Sequence, residues 1–416
     1  MPIFNSLGSN YTLSDALIAL RELVWPNQRA KKALNSRLTQ PFSGQSVLLF
    51  NGRDAIEYCL KAYGIGKDDQ ILTQAFSCSS LEEAITRTGA APIYFDLEPG
   101  KVHTTLAQVK KAYTKAKQPR AIILQHTLGY PDQVIAIAEF CREKNLILIE
   151  DLAQAMGAQD AQGNQLGSQA DAVILSFGRD KILDAISGGA VIFRQSSPHK
   201  PDLPNLEDWF ELKHDKQNKA LVLKLLLYPA LSILVRSTYS FKIGKGLHWF
   251  FRRFKLMEQQ IASPHDHYQS FPAYFAPLVL KRLDNLGTQL AHRRQLANLY
   301  YQQLEQLPLL DILVDQAKIA TASNLRFPVA VSQPTQVLNL LNHLQKQGFH
   351  LHDRWYRKAV DSGSCNFSSV YEKKSCPNAE SLAKRVINLP THRGVTTKQA
   401  AKLTDLIKDW LKVHHE

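Results

Sequence analysis

Three short stretches combine residue types that can act on a carbonyl and an anion. "SFGRDKILDAISGGAVIF" sets Lys181 between a strand end at Ser176 and the pair Gly188-Gly189. A lysine amine that is desolvated in a cleft has a depressed pKa and attacks carbonyls. A solvated surface lysine is the commoner use of the residue. "LILIEDLAQAMGA" ends a strand with Glu150 and Asp151, and Gln154 follows. An acid at such an edge serves as a metal ligand, a base, a partner for a ring nitrogen, or simply the N-cap of the next helix. "NGRDA" places Gly52, Arg53 and Asp54 at a strand-to-helix turn. The free N–H groups and dipole of a helix start favour an anion such as phosphate, although ordinary βα turns use the same residues. The stretch is neither GxGxxG nor a Walker loop, so dinucleotide and ATP readings have no support.

Taken in order, the anion-binding turn, the strand-end Asp151 and Ser176-x-x-x-x-Lys181 meet the separate needs of pyridoxal 5′-phosphate. A helix N-terminus holds its phosphate. An aspartate keeps its ring nitrogen protonated, so that the ring withdraws electrons. A lysine forms the Schiff base.

The elements that must position these residues alternate. "SVLLF", "DQILTQAF", "APIYFDL", "RAIILQHTLG", "LILIEDL" and "DAVILSF" read as buried strands. "AIEYCLKAYGI", "SSLEEAITRTG" and "DQVIAIAEFCREKN" read as the helices between them. This order predicts a mostly parallel sheet covered by helices on both faces, with ligands at the strand C-terminal edge. The pattern stops near Ser196, where "SSPHKPDLPNLEDW" reads as a linker. A long helical stretch follows from about Pro272, then "NLRFPVAV" as a strand, and two further helices of a smaller α+β domain. The expected division is a large domain over 1–198, an apolar and basic insertion over 199–262, and a long helix with the small domain over 263–416.

Composition narrows the class. With 416 residues the chain is too long for one core. No run of eighteen apolar residues and no secretory leader are expected, so the reading is cytoplasmic, extending to the inner face of the membrane. The five cysteines are odd in number and lack a C-x-x-C, which favours reduced thiols and no metal site. The net charge is +13, and the segment 216–257 holds nine Lys or Arg with no Asp or Glu. The excess is therefore mostly local. Trp249, Phe250, Phe251 and Phe254 beside these charges suit a headgroup boundary. A solvated basic face is the plainer reading. Nucleic-acid contact is not expected, because no known binding signature accompanies the charge.

Most of the chain resembles the DegT/DnrJ/EryC1/StrS family of fold-type-I sugar aminotransferases. The likeness rests on the long stretch from "NGRDAIEYCLKAYGI" to "IYFDLEP", then "IEDLAQAMGA", "SFGRDKI…SGGAVIF", "LRFPV" and "CPNAESLAKRVINLPTHRGVT". The resemblance implies an aspartate-aminotransferase-like fold with a seven-stranded sheet, a homodimer, and pyridoxal phosphate as cofactor. It gives Lys181 the Schiff base and the proton shuttle, and Asp151 the ring nitrogen. Gln154 falls beside the ring's phenolic oxygen. Ser176 becomes a phosphate ligand, and Arg53 with Asp54 falls in the phosphate turn beside Gly52. It also implies an amino acid donor, glutamate, and a keto acceptor on a nucleotide-linked sugar. Gly188-Gly189 is expected to let the cofactor or a second subunit come close.

The chain departs from the family pattern in three places. Cys78, with Phe76 nearby, stands where many members stack an aromatic ring on the cofactor. "FPAYFAPLV" lacks the usual asparagine before the long helix. The basic insertion is not usual for the family. A sugar dehydratase of the same family would carry histidine in place of Lys181. A non-catalytic, membrane-associated protein on the same scaffold is the reading from another class.

Overall fold

The computed structural model describes residues 2–203, 219–257, 270–363 and 367–414. Its first half contributes strands β1 (Ile3–Phe4), β2 (Gly44–Leu49), β3 (Gln70–Gln74), β4 (Ser77–Cys78), β5 (Ala91–Phe95) and β6 (Pro119–Leu124). Strands β7 (Ile147–Asp151), β8 (Ala172–Ser176) and β9 (Gly189–Arg194) follow. The helices here are α1 (Leu13–Val24), α2 (Gln28–Thr39), α3 (Gly52–Ala62), α4 (Ser79–Arg87), α5 (Leu106–Tyr113) and α6 (Val134–Lys144). Seven strands form one sheet in the order β2-β9-β8-β7-β6-β3-β5. Six run in one direction and only β9 opposes its neighbours. This is the expected α/β architecture.

The strands are apolar on both faces because both faces are covered. Along β6, Ala121 and Ile123 enter one core with Ile56 and Leu60 of α3. Ile122 and Leu124 enter the opposite core with Leu34 of α2 and Ile137 of α6. Alternate side chains of one strand thus reach two different helical layers.

The C-terminal half builds a third core around an antiparallel sheet of β10 (Leu310–Ile312), β11 (Arg326–Val331) and β14 (Val386–Pro390). Two strand pairs join the halves. β1 lies parallel to β12 (Phe349–His350), and β4 lies parallel to β13 (Val360–Asp361). The segment from β12 to β13 is thereby brought against the edge where the large sheet ends.

The apolar and basic segment forms α7 (Lys219–Thr238) and α8 (Ile243–Arg253). Its first basic residue, Lys216, lies outside the described residues. Ala220–Phe241 is long and apolar enough to cross a membrane, which corrects the expectation that no such helix exists. Lys224, Pro229 and Arg236 interrupt the apolar run in the linear sequence, whereas the helix continues through them. Its inner face is built into the protein: Val222, Leu225, Leu226 and Val235 are buried in a core that also holds Tyr11 and Ala19.

One backbone contact fixes how β9 enters the sheet. A Cβ on Gly189 would lie 2.4 Å from the Asn51 carbonyl oxygen and 2.7 Å from Gly52 N. A side chain here therefore has no room. Gly188 has φ +124°, and its missing Cβ leaves space for Phe271 and Phe177. The Gly-Gly pair accommodates the chain's own helix start and two of its own rings, which corrects the expectation that it admits a cofactor or a second subunit. Gly189→Ala should destabilise the fold by about 1–3 kcal/mol, the usual range for forced overpacking. Gly287→Ala, in open space on a helix, should be neutral or stabilising by up to about 1 kcal/mol. Urea unfolding of both variants checks this. Equal stability of wild type and Gly189→Ala would contradict the packing argument.

Candidate active site

The C-terminal edge of the large sheet opens into a cavity of about 690 Å³. Gly52, Arg53, Cys78, Asp151, Gln154, Ser176 and Lys181 all line it. Asp54 does not.

α3 begins directly after β2, and Asn51 caps it. The Asn51 Oδ1 accepts from the Asp54 backbone N–H at 2.9 Å, and its Nδ2 donates to Asp54 Oδ2 at 2.9 Å. Asp54 is therefore a structural part of the turn. Burial pushes its carboxyl up to about 7, against the opposing pull of Arg53. This corrects its expected place as a cofactor contact. The N–H groups of Gly52 and Arg53 precede the first bonded turn and lack an intrahelical acceptor, and both residues line the cavity. The Arg53 guanidinium turns away to Glu83 at 2.8 Å, so its backbone, not its charge, serves the turn.

Lys181 sits on the loop 177–188 between the antiparallel neighbours β8 and β9. Buried Asp184 holds that loop from inside. It accepts from Asp180 N at 2.9 Å and from Asn10 Nδ2 at 3.1 Å, and Tyr11 donates to it as well. The Arg282 Nε donates to its carbonyl at 2.8 Å. Lys181 Nζ lies 4.7 Å from the centre of the Trp355 ring. Burial lowers the amine's pKa, Cys78 and Asp151 oppose that shift, and Arg326 adds to it. The result is an amine more readily deprotonated than a surface lysine, which is what a nucleophile toward carbonyls needs.

Asp151 ends β7. Its Oδ1 accepts from Ala153 N at 3.0 Å. Burial raises its pKa, and the Ala153 bond, Lys181 and His126 work against that rise. His126 lies fully buried behind it, with Nε2 3.0 Å from Glu150 and Nδ1 3.2 Å from Asp132. Burial alone would lower the imidazole pKa. Its bonds to Asp132 and Glu150 override that and hold it at about 9. A buried cation thus stands close to Asp151, where it favours the ionised carboxylate.

Gln154 Nε2 donates to the Tyr356 hydroxyl at 2.7 Å, and Gln125 Nε2 donates to the same oxygen at 3.3 Å. Ser176 Oγ accepts from Gly178 N at 3.3 Å. Cys78 is half-buried in the wall, with Sγ 3.3 Å from Ser80 Oγ. Trp355, Tyr356, Gln125 and Asp184 were not foreseen. The first two come from "RWYRK", an irregular stretch whose periodicity carries no signal; the β4–β13 and β1–β12 pairings bring it here, and Asn388 of β14 bonds the Trp355 backbone N–H and carbonyl.

A profile of the DegT/DnrJ/EryC1/StrS aminotransferase family matches residues 42–200 and 272–408. The chain belongs to this family. A dTDP-4-dehydro-2,3,6-trideoxy-D-glucose 4-aminotransferase of Saccharopolyspora spinosa is 37% identical over 145 residues, covering 35% of this chain and 37% of that protein. The chain thus aligns with under half the length of that relative. A dTDP-3-amino-3,4,6-trideoxy-alpha-D-glucose transaminase of Streptomyces venezuelae is 26% identical, over 86% of this chain and 81% of its own. An aminotransferase of Streptoalloteichus hindustanus, of known structure, superposes with a TM-score of 0.67 at 19% identity and 96% coverage of both chains. That last likeness concerns the fold.

The family's cofactor, pyridoxal phosphate, fits the residues present. Two unbonded N–H groups and Ser176 stand ready for a phosphate, a buried carboxylate for the ring nitrogen, and a desolvated amine for the carbonyl carbon. The segment 201–271, which includes α7 and α8, lies between the two matched blocks.

The His126 charge carries a pH dependence. Its folded pKa, about 9, lies above the free imidazole value of about 6.5. Its contribution to stability is therefore complete below about pH 6.5 and is lost as pH rises through about 9. Wild type should lose stability across that window relative to His126→Gln. Denaturant titrations at several pH values check the difference; parallel profiles would refute the buried charge.

Proposed function

We propose that this chain is a pyridoxal-phosphate-dependent aminotransferase, moving an amino group from an amino acid donor to a keto group on a nucleotide-linked sugar. One observation carries the reading: an α3 anion turn, the Asp151 carboxylate and the Lys181 amine converge on a single cavity. The nucleotide-sugar acceptor follows the names of the relatives. Glutamate as donor follows the family resemblance.

The bound cofactor supplies an electron sink for breaking bonds at the substrate carbon. Gly52 N, Arg53 N and Ser176 would hold its phosphate. Asp151, whose pKa burial raises and Lys181 and His126 pull back, would hold the ring nitrogen, and Gln154, bonded to Tyr356, would lie at the ring's edge. Lys181 holds an amine of lowered basicity inside the cavity, where it can accept a proton and return it. Trp355, from the stretch between β12 and β13, covers the amine with its ring centre 4.7 Å from Nζ.

The reading extends to the assembly and its location. The protein acts in the cytoplasm as a homodimer, the commonest symmetric assembly, and docks on the inner face of a membrane. The surface supports the docking. Twelve of the fifteen exposed large apolar side chains among the described residues fall in 13–25 and 223–254. They include Leu13, Leu17, Trp25, Phe241, Trp249 and Phe254. No acidic residue occurs between Lys219 and Met257. An apolar aromatic surface bearing only positive charge suits an anionic lipid headgroup layer.

Lys181→Ala should keep the fold by circular dichroism but lose the visible absorbance of the cofactor-loaded protein. Its donor turnover should fall by about 10²–10⁴-fold, the span of a lost acid–base group. Asp151→Asn should keep the absorbance and lose turnover. Wild-type turnover in Lys181→Ala would overturn the assignment.

Binding to phosphatidylcholine vesicles should rise with added phosphatidylglycerol and weaken with salt, since each basic residue contributes about 1 kcal/mol within a Debye length. Replacing both Trp249 and Phe250 by Ser should reduce binding while light scattering still shows a dimer. If that variant became a monomer, the surface would be the dimer seam and the membrane reading would fall.

A further inference from the structure

α8 has two unlike faces, and the inner one belongs to the cavity. His248 and Arg252, one helical turn apart, line it together with Tyr239 and Met257 from the same segment. Trp249, Phe250 and Phe254 stay exposed. The helix is held firmly enough for its inner side chains to matter. Phe251 is buried, and a Cβ on Gly244 would lie 2.2 Å from the Val235 carbonyl oxygen, so α8 sits backbone to backbone on α7.

Arg252 forms no ion pair among the described residues, and neither does Arg354, which also lines the cavity and donates to the Val386 carbonyl at 3.0 Å. The other groups around them feel the same field. Partial burial and Arg252 lower the His248 pKa, and partial burial and Arg354 lower that of His352. The cavity carboxylates of Asp353 and Asp361 are already paired, with Arg326 at 3.0 Å and Arg357 at 3.3 Å. Arg252 and Arg354 thus add positive charge to a wall whose acids are already engaged, with Asp361 also acting on Arg354 and Asp180 on the same cavity lining. An anion entering there meets charge-assisted donors.

We propose that α8 is a substrate-specificity element. Arg252 and His248, with Arg354, form a subsite for the phosphate ester that joins the acceptor sugar to its carrier. The inference rests on the aminotransferase reading and deepens it. The α8 residues of this subsite come from the segment 201–271, which lies between the two blocks that the family profile matches. The chemistry recognised is a diphosphate ester, which a nucleotide or a polyprenyl carrier would present alike. The exposed aromatic face of the same helix would leave a lipid carrier within reach of the bilayer.

Calorimetry on the cofactor-loaded protein separates these outcomes. The probes are inorganic pyrophosphate, dTDP and farnesyl diphosphate, and loading with cofactor keeps the α3 phosphate turn from answering for the subsite. Arg252→Gln should weaken each bound probe by about tenfold, the loss expected for one charge-assisted bond. Arg252→Lys should recover part of the loss. Arg253→Gln, exposed and outside the cavity lining, should bind as wild type. Tighter binding of dTDP than of pyrophosphate assigns a nucleotide carrier, and tighter binding of farnesyl diphosphate assigns a lipid carrier. No pyrophosphate binding, or equal binding by wild type and Arg252→Gln, overturns the subsite. Cofactor absorbance and donor turnover in Arg252→Gln are read alongside. If they persist, the aminotransferase reading stands even where the subsite fails.

Discussion

The passage of the Gly189 backbone against Asn51 and Gly52 is the contact on which the cavity depends. Within the large sheet β9 is the one strand that opposes its neighbours, and it lies between β2 and β8. That insertion puts the start of α3 and the end of β8 on either side of the Gly-Gly corner. The anion turn therefore faces Ser176, and the loop carrying Lys181 must arch over the sheet edge between them. A side chain at position 189 would push the helix start away from the strand ends. The anion turn, the serine and the lysine loop are thus parts of one backbone arrangement.

Electrostatics then divide the site into layers. Furthest inside, His126 between Glu150 and Asp132 forms a closed, fully buried charge network. Nearer the cavity, Asp151 and Lys181 perturb each other, the carboxylate raised by burial and the amine lowered by it. Further out, Arg252 and Arg354 form no ion pair among the described residues, although Asp361 acts on Arg354. Desolvation is strong in the inner layers, so the pairs there must be satisfied by hydrogen bonds. Solvent screens the mouth, where unpaired cations can be kept for a ligand.

The segment that holds α7 and α8 adds no strand to the large sheet among the described residues. α7 completes a core begun by α1 and α2, with Leu226 and Val235 buried there, and α8 rests on α7. Tyr228 from α7 lines the same cavity, and the Arg179 guanidinium lies 3.6 Å from the centre of its ring. A segment legible only as apolar and basic thus supplies both outer surface and inner wall. Linear composition cannot separate those roles, because the two faces of α8 alternate within each helical turn.

The sequence alone determined the alternating strands and helices, since two-sided apolar strands such as "RAIIL" and "AVIL" make sense only between two helical layers. It also marked Asp151, Ser176 and Lys181, because a strand end or the loop just past it is a local property that a short stretch announces. The tertiary structure alone decided what faced what. It turned Asp54 and the Arg53 guanidinium away from the cavity, since a cap and a buried ion pair satisfied them elsewhere. It gave Gly188-Gly189 to the chain's own backbone and rings. It drew Trp355 to Lys181, and Tyr356 and Arg354 to the same cavity, from a stretch about 170 residues distant. Such contacts follow from strand pairings and from the volume left between packed elements, neither of which a linear pattern records.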